Sequence, residues 1–352
     1  MTQAQQKYIE LREKGIKAAL FEGAWGNYVF EIGERVTNGP LCGFVTYEGD
    51  EYFFEILHAH HFDHEVVPST SAQREIQKDL QSFVSPNEYI EKIDQIVEFI
   101  RAGETYQVNY SIPFVVSAVD RDPFEIYCAL ASINPSPYMC FIETDEGALI
   151  SNSPECLMEL SPDGTLTTKP IKGTIARGAT PEQDSAAEAT LIASDKNKAE
   201  LAMIVDLERN DLGQVCVPGS VRATPRHIEK YSHVIHTVAK VEGRLASDKT
   251  WRDAFTALFP GGSVTGCPKV RTMEIIKKLE DAPRGIYCGS AGYTLAGGVA
   301  AFNILIRSLW FDRAQQTITF RSGGGIVADS IPQDEYAELL HKAAAIAGTL
   351  SL

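Results

Sequence analysis

Lys172 and Glu155 are the two side chains whose types and spacing first suggest chemistry. An amine beside a carboxylate is either a nucleophile next to a proton donor or a solvated ion pair of little energetic consequence. The two flank the turn Ser161-Pro162-Asp163-Gly164. Residues 149–160 before it and 165–175 after it read as strands, and Asp-Gly between two such runs is a hairpin signal. A two-residue Asp163-Gly164 loop sets Glu155 opposite Lys172 on one face of the sheet, with Cβ atoms roughly 4.5–5.5 Å apart.

Further carboxylates lie on helices. Glu200 belongs to a helix expected over 195–212, preceded by one over 181–193. Its neighbours three, four and seven residues on are Met203, Ile204 and Leu207, so it falls on the face expected to be buried, where an unpaired carboxylate is costly. The last helix has Pro332 at a first-turn position, Glu335 and Glu338 on one face, and Lys342 four residues past Glu338. This is either a surface Glu–Lys pair or part of a Mg²⁺ site shared with Glu200, because Mg²⁺ takes oxygen ligands and keeps waters and substrate oxygens in its shell.

Cations and loops that could hold an anion are scattered along the second half. Gly261-Gly262-Ser263-Val264-Thr265-Gly266-Cys267-Pro268-Lys269 leads into a helix whose free N–H groups form an anion site. It is not a nucleotide P-loop, since Cys267 stands where Lys is required. Gly323-Gly324-Gly325 reads as a close-approach loop after a strand ending at Arg321. Arg307, in an apolar stretch over 300–309 read as a buried strand, wants a carboxylate. Tyr287 lies in Gly285-Ile286-Tyr287-Cys288-Gly289. His236 follows Tyr231-Ser232-His233-Val234-Ile235 and by itself reads as a core histidine.

The elements that must position these groups do not follow a regular βαβ beat. Residues 1–65 form a small leading region with strands near 28–32 and 52–57, and Pro68-Ser69-Thr70-Ser71 marks a linker. The region over 1–80 contributes strands, and 85–350 is the catalytic domain. Ser85-Pro86-Asn87 starts a helix with Tyr89, Ile90, Ile93, Ile96, Val97 and Ile100 at helical spacing. The segment 103–110 turns into a strand and another strand follows at 138–143, after a turn at Asn134-Pro135-Ser136-Pro137. No repeat is visible, and the order argues for an α+β protein with large, mainly antiparallel sheets.

The formal charge of −15 over 352 residues, without a basic run, argues against nucleic acid or an anionic membrane as partner. Seven Cys without a CxxC pair fit a reduced, cytoplasmic chain. No secretory signal and no membrane span are expected. His58, His60, His61 and His64 cluster in seven residues, but no Cys or spaced partner completes a metal site.

Five stretches together resemble the chorismate-utilising enzymes: 170–174, 206–213, 261–269, 284–293 and 323–330. That family holds anthranilate, aminodeoxychorismate, isochorismate and salicylate synthases, and the resemblance runs from about residue 85 to 348. Lys172 is the Lys of the aminodeoxychorismate branch, where anthranilate synthases have Ala. Gln107 occupies the place of the Lys base in water-adding members. The region before 85 is shorter than in typical relatives. It shows no counterpart of the Leu-Leu-Glu-Ser tryptophan-binding motif, although Asn134-Pro135-Ser136-Pro137-Tyr138-Met139 resembles the other half of that site. No Gly-x-Cys-x-Gly glutaminase elbow occurs.

The resemblance implies two stacked, orthogonal antiparallel sheets flanked by helices. It implies Mg²⁺ on Glu200 and Glu338, with Glu335 as a water-mediated partner, holding the ring carboxylate of chorismate. Arg307, Tyr287, Lys342 and the N–H groups of Gly323 and Gly325 would take the other carboxylate, with Gly173 and Thr174 also binding substrate and His236 a catalytic residue beside Lys172 and Glu155. Lys172 would attack ring carbon 2 while Glu155 protonates the departing 4-hydroxyl. Ammonia from a glutamine amidotransferase subunit, component II, would then enter at carbon 4 and expel Lys172 from carbon 2. The product would be 4-amino-4-deoxychorismate, the precursor of 4-aminobenzoate in folate biosynthesis. The alternative is an anthranilate or isochorismate synthase component.

Overall fold

Ser85 shows how local sequence sets an element here. Its hydroxyl accepts from Glu88 N–H, Pro86 occupies the first turn, and Tyr89, Ile93, Ile96 and Val97 form the buried stripe of an amphipathic helix. The computed structural model describes residues 1–350 other than 64, 66–80, 83, 134, 232 and 233. The linker at 68–71, His64, Asn134 and the Ser232-His233 pair therefore lie outside the described residues.

The chain forms two compact units: Met1–Pro154, Val264–Tyr293 and Asn303–Leu352 make one, and Glu155–Ser263 with Thr294–Phe302 the other. The first begins with α1 (Gln3–Glu13), β1 (Ala18–Gly23), β2 (Asn27–Arg35), β3 (Leu41–Val45), β4 (Glu51–Phe62) and β5 (Gln81–Ser82). It continues with α2 (Pro86–Arg101), β6 (Gln107–Ser117), α3 (Pro123–Ile133), β7 (Tyr138–Glu143) and β8 (Gly147–Ser153). The second holds β9 (Cys156–Leu160), β10 (Thr165–Lys169), β11 (Ile171–Ala176), α4 (Pro181–Ala193), α5 (Asp195–Gly213), β12 (Arg222–Ala223), β13 (His227–Lys230), β14 (Val234–Val238), β15 (Val241–Arg244) and α6 (Trp251–Leu258). The rest is β16 (Gly266–Cys267), α7 (Lys269–Leu279), β17 (Ser290–Leu295), β18 (Val299–Asn303), β19 (Ser308–Asp312), β20 (Thr317–Ile326) and α8 (Pro332–Leu350).

The fold is α+β with large antiparallel sheets and helices, as the sequence indicates. In the first unit the pairing runs β6, β20, β19, β8, β7, β1, β2, β4, β3. Its core joins α1, α2, α3, α7 and α8 to that sheet through Tyr8, Tyr89, Phe124, Phe141, Ile276 and Leu339 among others. In the second unit β9, β10, β15 and β12 pair in that order, while β11, β14 and β13 form a separate three-stranded sheet. No helix among the described residues is long and apolar enough to cross a membrane.

The central hairpin departs from the expected register. Its loop has three residues, not two: Ser161 N–H donates to Thr165 O, and Gly164 adopts φ +82°, the left-handed position of a bulged hairpin loop. Asp163 fixes it by accepting from Thr165 N–H and Oγ1 at 3.0 Å each. Thr167 thus pairs with Glu159, and a further bulge sets Lys169 opposite Cys156. Nor are the two arms continuous strands. Pro154 separates β8 from β9 and Pro170 separates β10 from β11, because proline lacks the N–H that a ladder needs. Lys172 and Glu155 are therefore not ladder partners; Lys172 lies on β11, which pairs with β14 instead.

Candidate active site

The second unit gathers one group of candidates. Glu155, next to Pro154 at the start of β9, is 4% exposed. Burial raises its pKa; the Ser263 hydroxyl, the Lys172 charge and the Ile171 N–H pull the other way without cancelling it. A carboxyl held up by desolvation keeps its proton further toward neutral pH. Lys172 is thus close enough to be felt by Glu155, by a route other than the hairpin register. Gly173 has φ +87°, and a Cβ there would stand 2.6 Å from Asn197 Nδ2 on α5. Only glycine meets both conditions. Thr174 faces His236, its β14 partner, with Oγ1 2.8 Å from Nδ1, and His236 is 1% exposed.

Glu200 on α5 is half-buried, with Lys196 Nζ 3.9 Å away. The deeper carboxylate of this helix is one the sequence reading missed. Glu208, 4% exposed, accepts from Thr168 Oγ1 at 3.0 Å. Its position four residues past Ile204 carried the signal.

The first unit gathers the other group along one ladder. β6 and β20 pair Asn109 with Gly325 and Ser111 with Gly323. The glycines permit close approach: a Cβ on Gly323 would lie 2.3 Å from Tyr110 O, and one on Gly325 3.0 Å from Gln107 Nε2. Gln107 is fully buried, and neither amide atom has a hydrogen-bond partner among the described residues. Buried amides without partners are rare, and one beside a glycine-lined surface is suited to meet a ligand. Across Gly324 stand Glu335 Oε2 and Lys342 Nζ, at 3.5 and 3.7 Å from a Cβ built there. Lys342 donates to Gly323 O at 3.2 Å and pairs with Glu338 at 2.7 Å, and Glu335 accepts from Ser330 Oγ at 2.7 Å. Gly323–Gly325 lies in β20, an extended strand, and not in the loop expected from the sequence.

Asn109, which sequence reasoning did not single out, reaches Tyr287 through Nδ2 at 3.4 Å from the phenol oxygen. Arg307 corrects a second expectation. It sits between β18 and β19, not inside a strand, with φ +52°. Burial lowers its pKa, and among the described residues no carboxylate pairs with it. A desolvated guanidinium without an internal anion is suited to an external one. A cavity of about 390 Å³ lies behind Tyr287, walled by Arg284, Arg321, Phe44 and Trp310. Tyr287 alone among the expected site residues lines it.

Among the described residues no three His, Cys, Asp or Glu side chains converge as a metal set. His60 pairs with Glu31 at 2.8 Å, consistent with a polar strand. The carboxylates Glu200, Glu335 and Glu338 still fit Mg²⁺ in donor type, since that ion is bound through one or two carboxylates plus waters and substrate oxygens.

A buried carboxyl whose pKa is raised by burial and which feels the charge of an amine, and a glycine-lined strand beneath a lysine, are each suited to chemistry on a small anion. Residues 36–348 match the chorismate binding enzyme family, and the chain belongs to it. It is 45% identical over 271 residues to anthranilate synthase component 1 of Mycolicibacterium smegmatis, covering 75% of this chain and 51% of that protein. It is 41% identical over 290 residues to aminodeoxychorismate synthase component 1 of Bacillus subtilis, covering 81% and 61%. The chain thus spans half to under two thirds of the length of these relatives. Among solved structures it resembles anthranilate synthase component I of Streptococcus pneumoniae, with TM-score 0.75, 25% identity and coverage of 94% and 91%. It shares the fold of the menaquinone-specific isochorismate synthase of Escherichia coli, with TM-score 0.79, 18% identity and coverage of 95% and 88%.

Proposed function

We propose that this chain aminates chorismate at carbon 4, as an aminodeoxychorismate synthase component I, using ammonia released by a glutamine amidotransferase subunit. What supports the reading is the buried Glu155, whose pKa burial raises and on which the Lys172 charge acts. A neutral amine and a protonated carboxyl are the pair that the first step requires. Relatives of similar identity are anthranilate synthases, so amination at carbon 2 is the second reading; an amine at position 172 argues against it.

The Lys172 nitrogen donates its electron pair to ring carbon 2. The double bond shifts and the carbon 4–oxygen bond breaks, with Glu155 delivering the proton that lets the hydroxyl leave as water. Ammonia then adds at carbon 4, the double bond shifts back, and the carbon 2–nitrogen bond to Lys172 breaks. Glu155, now a carboxylate, accepts a proton from the incoming nitrogen. Arg307, Tyr287, Lys342 and the Gly323 and Gly325 N–H groups hold one substrate carboxylate. Glu200 and Glu338, with Glu335 through water, would hold Mg²⁺, which when bound neutralises and orients the ring carboxylate. His236 and Thr174 fix the strand beside Lys172. Gln107 supplies an amide that cannot deprotonate water, which favours ammonia as nucleophile.

Product analysis with chorismate, Mg²⁺ and ammonium, with and without a lyase that converts aminodeoxychorismate to 4-aminobenzoate, tests the reading. 4-Aminobenzoate appearing only with the lyase supports it; anthranilate or isochorismate as the main product overturns it.

A further inference from the structure

Glu280, the residue that closes α7, has a side chain 2% exposed and accepts five hydrogen bonds. Oε1 receives Ser111 N–H and Oγ at 3.0 Å each and Arg284 Nη2 at 2.7 Å. Oε2 receives Arg284 Nε at 3.0 Å and Arg321 Nη2 at 2.9 Å. Both guanidiniums are buried, so one carboxylate stands between two cations. Each arginine also holds backbone. Arg284 donates to Val264 O at 3.0 Å and Asn109 O at 2.6 Å, and Arg321 to Ser111 Oγ and O at 3.0 Å each.

These anchor points lie under the groups assigned to the substrate carboxylate. Ser111 pairs with Gly323 and Asn109 with Gly325. Arg321 precedes Gly323 by two residues on the same strand. The Asn109 amide reaches the Tyr287 hydroxyl, and the Arg284 guanidinium lies 5.6 Å from the Tyr287 ring centroid. Gly323, Gly325 and Tyr287 arrive from β20 and from the segment after α7, and Glu280 ties their supports to one point.

We propose that Glu280 is a positioning residue for the anion seat, setting the mutual placement of the Gly323 and Gly325 N–H groups and the Tyr287 hydroxyl. The proposal rests on the reading that these groups hold a chorismate carboxylate. Glu280→Gln keeps the shape but places an amide N–H₂ against two guanidiniums, and a buried cation that loses its counter-charge is a strongly disruptive change. The seat then shifts while Lys172 and Glu155 are untouched. A loss of binding common to ground and transition state raises KM and spares kcat.

The test measures chorismate Kd by calorimetry with Mg²⁺, together with KM, kcat and melting temperature, in wild type, Glu280→Gln and Ser111→Ala. Ser111→Ala removes one donor to Glu280 and one acceptor of Arg321 while leaving the carboxylate, so it remains informative if Glu280→Gln does not fold. The expected result is a rise in Kd and KM of about tenfold or more for Glu280→Gln, and about threefold for Ser111→Ala, with kcat within about threefold of wild type. Folded variants with Kd and KM within about twofold of wild type, whatever their melting temperatures, overturn the proposal and leave the function standing. A wild-type chain that does not bind chorismate overturns both.

Discussion

Thr174 Oγ1 and His236 Nδ1 stand 2.8 Å apart across the β11–β14 ladder, where the two residues are direct partners. The bond fixes the rotation of the His236 ring, which is 1% exposed, and Thr174 lies two residues along β11 from Lys172. Thr174→Val keeps the branched shape and removes the bond. Losing a partner of a buried polar group costs about 1–3 kcal/mol, so turnover should fall roughly five- to hundredfold, as far as that cost reaches the barrier. Thr174→Ser should stay near wild type. Steady-state kinetics with chorismate and ammonium distinguish them, and equal activity of the two variants contradicts a role for the hydroxyl.

Gly173→Ala should be damaging for two separable reasons. The φ of +87° penalises any Cβ, and that Cβ would press on Asn197 Nδ2. The left-handed conformation alone costs roughly 1–2 kcal/mol. Displacing the Lys172 backbone should lower kcat at least about tenfold. The double variant Gly173→Ala/Asn197→Ala removes the collision but not the strain, so it should recover part of the loss. Full recovery would assign the whole effect to Asn197.

The large features were legible because they depend on local pattern. Tyr89, Ile93, Ile96 and Val97 announced α2, and the helices expected over 181–193 and 195–212 are α4 (Pro181–Ala193) and α5 (Asp195–Gly213). The strands β1 and β3 were not read. Residues 18–23 and 41–45 are nearly all buried and short, and such runs carry no alternation to detect. The hairpin register failed because Asp-Gly is compatible with both two- and three-residue loops, and backbone conformation at Gly164 decides. Pro154 and Pro170 were visible strand breakers whose effect was overlooked. The Glu280–Arg284–Arg321 cluster was not legible at all: in sequence it shows only as a helical i,i+4 pair, and its burial comes from strands distant in the chain.

The raised pKa of Glu155 predicts a pH dependence of stability with a definite sign. A carboxyl raised in the folded state favours the protonated fold; that stability is fully present below the unfolded value of about 4.3 and is lost as pH rises through the folded pKa. Glu155→Gln mimics the protonated form. Its melting temperature should match wild type in acid and exceed it progressively above the ordinary glutamate range, while amination is lost. A variant less stable than wild type at neutral pH would contradict the burial assignment.

Mg²⁺ dependence should reside in two helices. Glu200→Gln and Glu338→Gln should each raise the Mg²⁺ concentration for half-maximal activity by about tenfold or more, since this ion is held by only one or two protein carboxylates and each carries a large share of the binding. Titrating Mg²⁺ at fixed chorismate reads this directly. Unchanged dependence in both variants would refute the assignment.

Supply of ammonia gives a further expectation. The purified chain should turn over chorismate with ammonium salts but not with glutamine, because no Gly-x-Cys-x-Gly elbow is present. Glutamine-dependent amination by the single chain would rule this out.

The central claim is that Lys172 forms a covalent bond to the substrate. An adduct at carbon 2 blocks ammonia there and directs it to carbon 4. Lys172→Ala should lose most carbon 4 amination or leak toward the carbon 2 product, and each ~1.4 kcal/mol of lost stabilisation lowers the rate tenfold. The most direct measurement is mass spectrometry of the wild-type chain incubated with chorismate and Mg²⁺ in the absence of ammonia. The account predicts an adduct on the peptide that contains Lys172, absent from Lys172→Ala. No adduct in wild type, together with aminodeoxychorismate formed by Lys172→Ala at the wild-type rate, would contradict it.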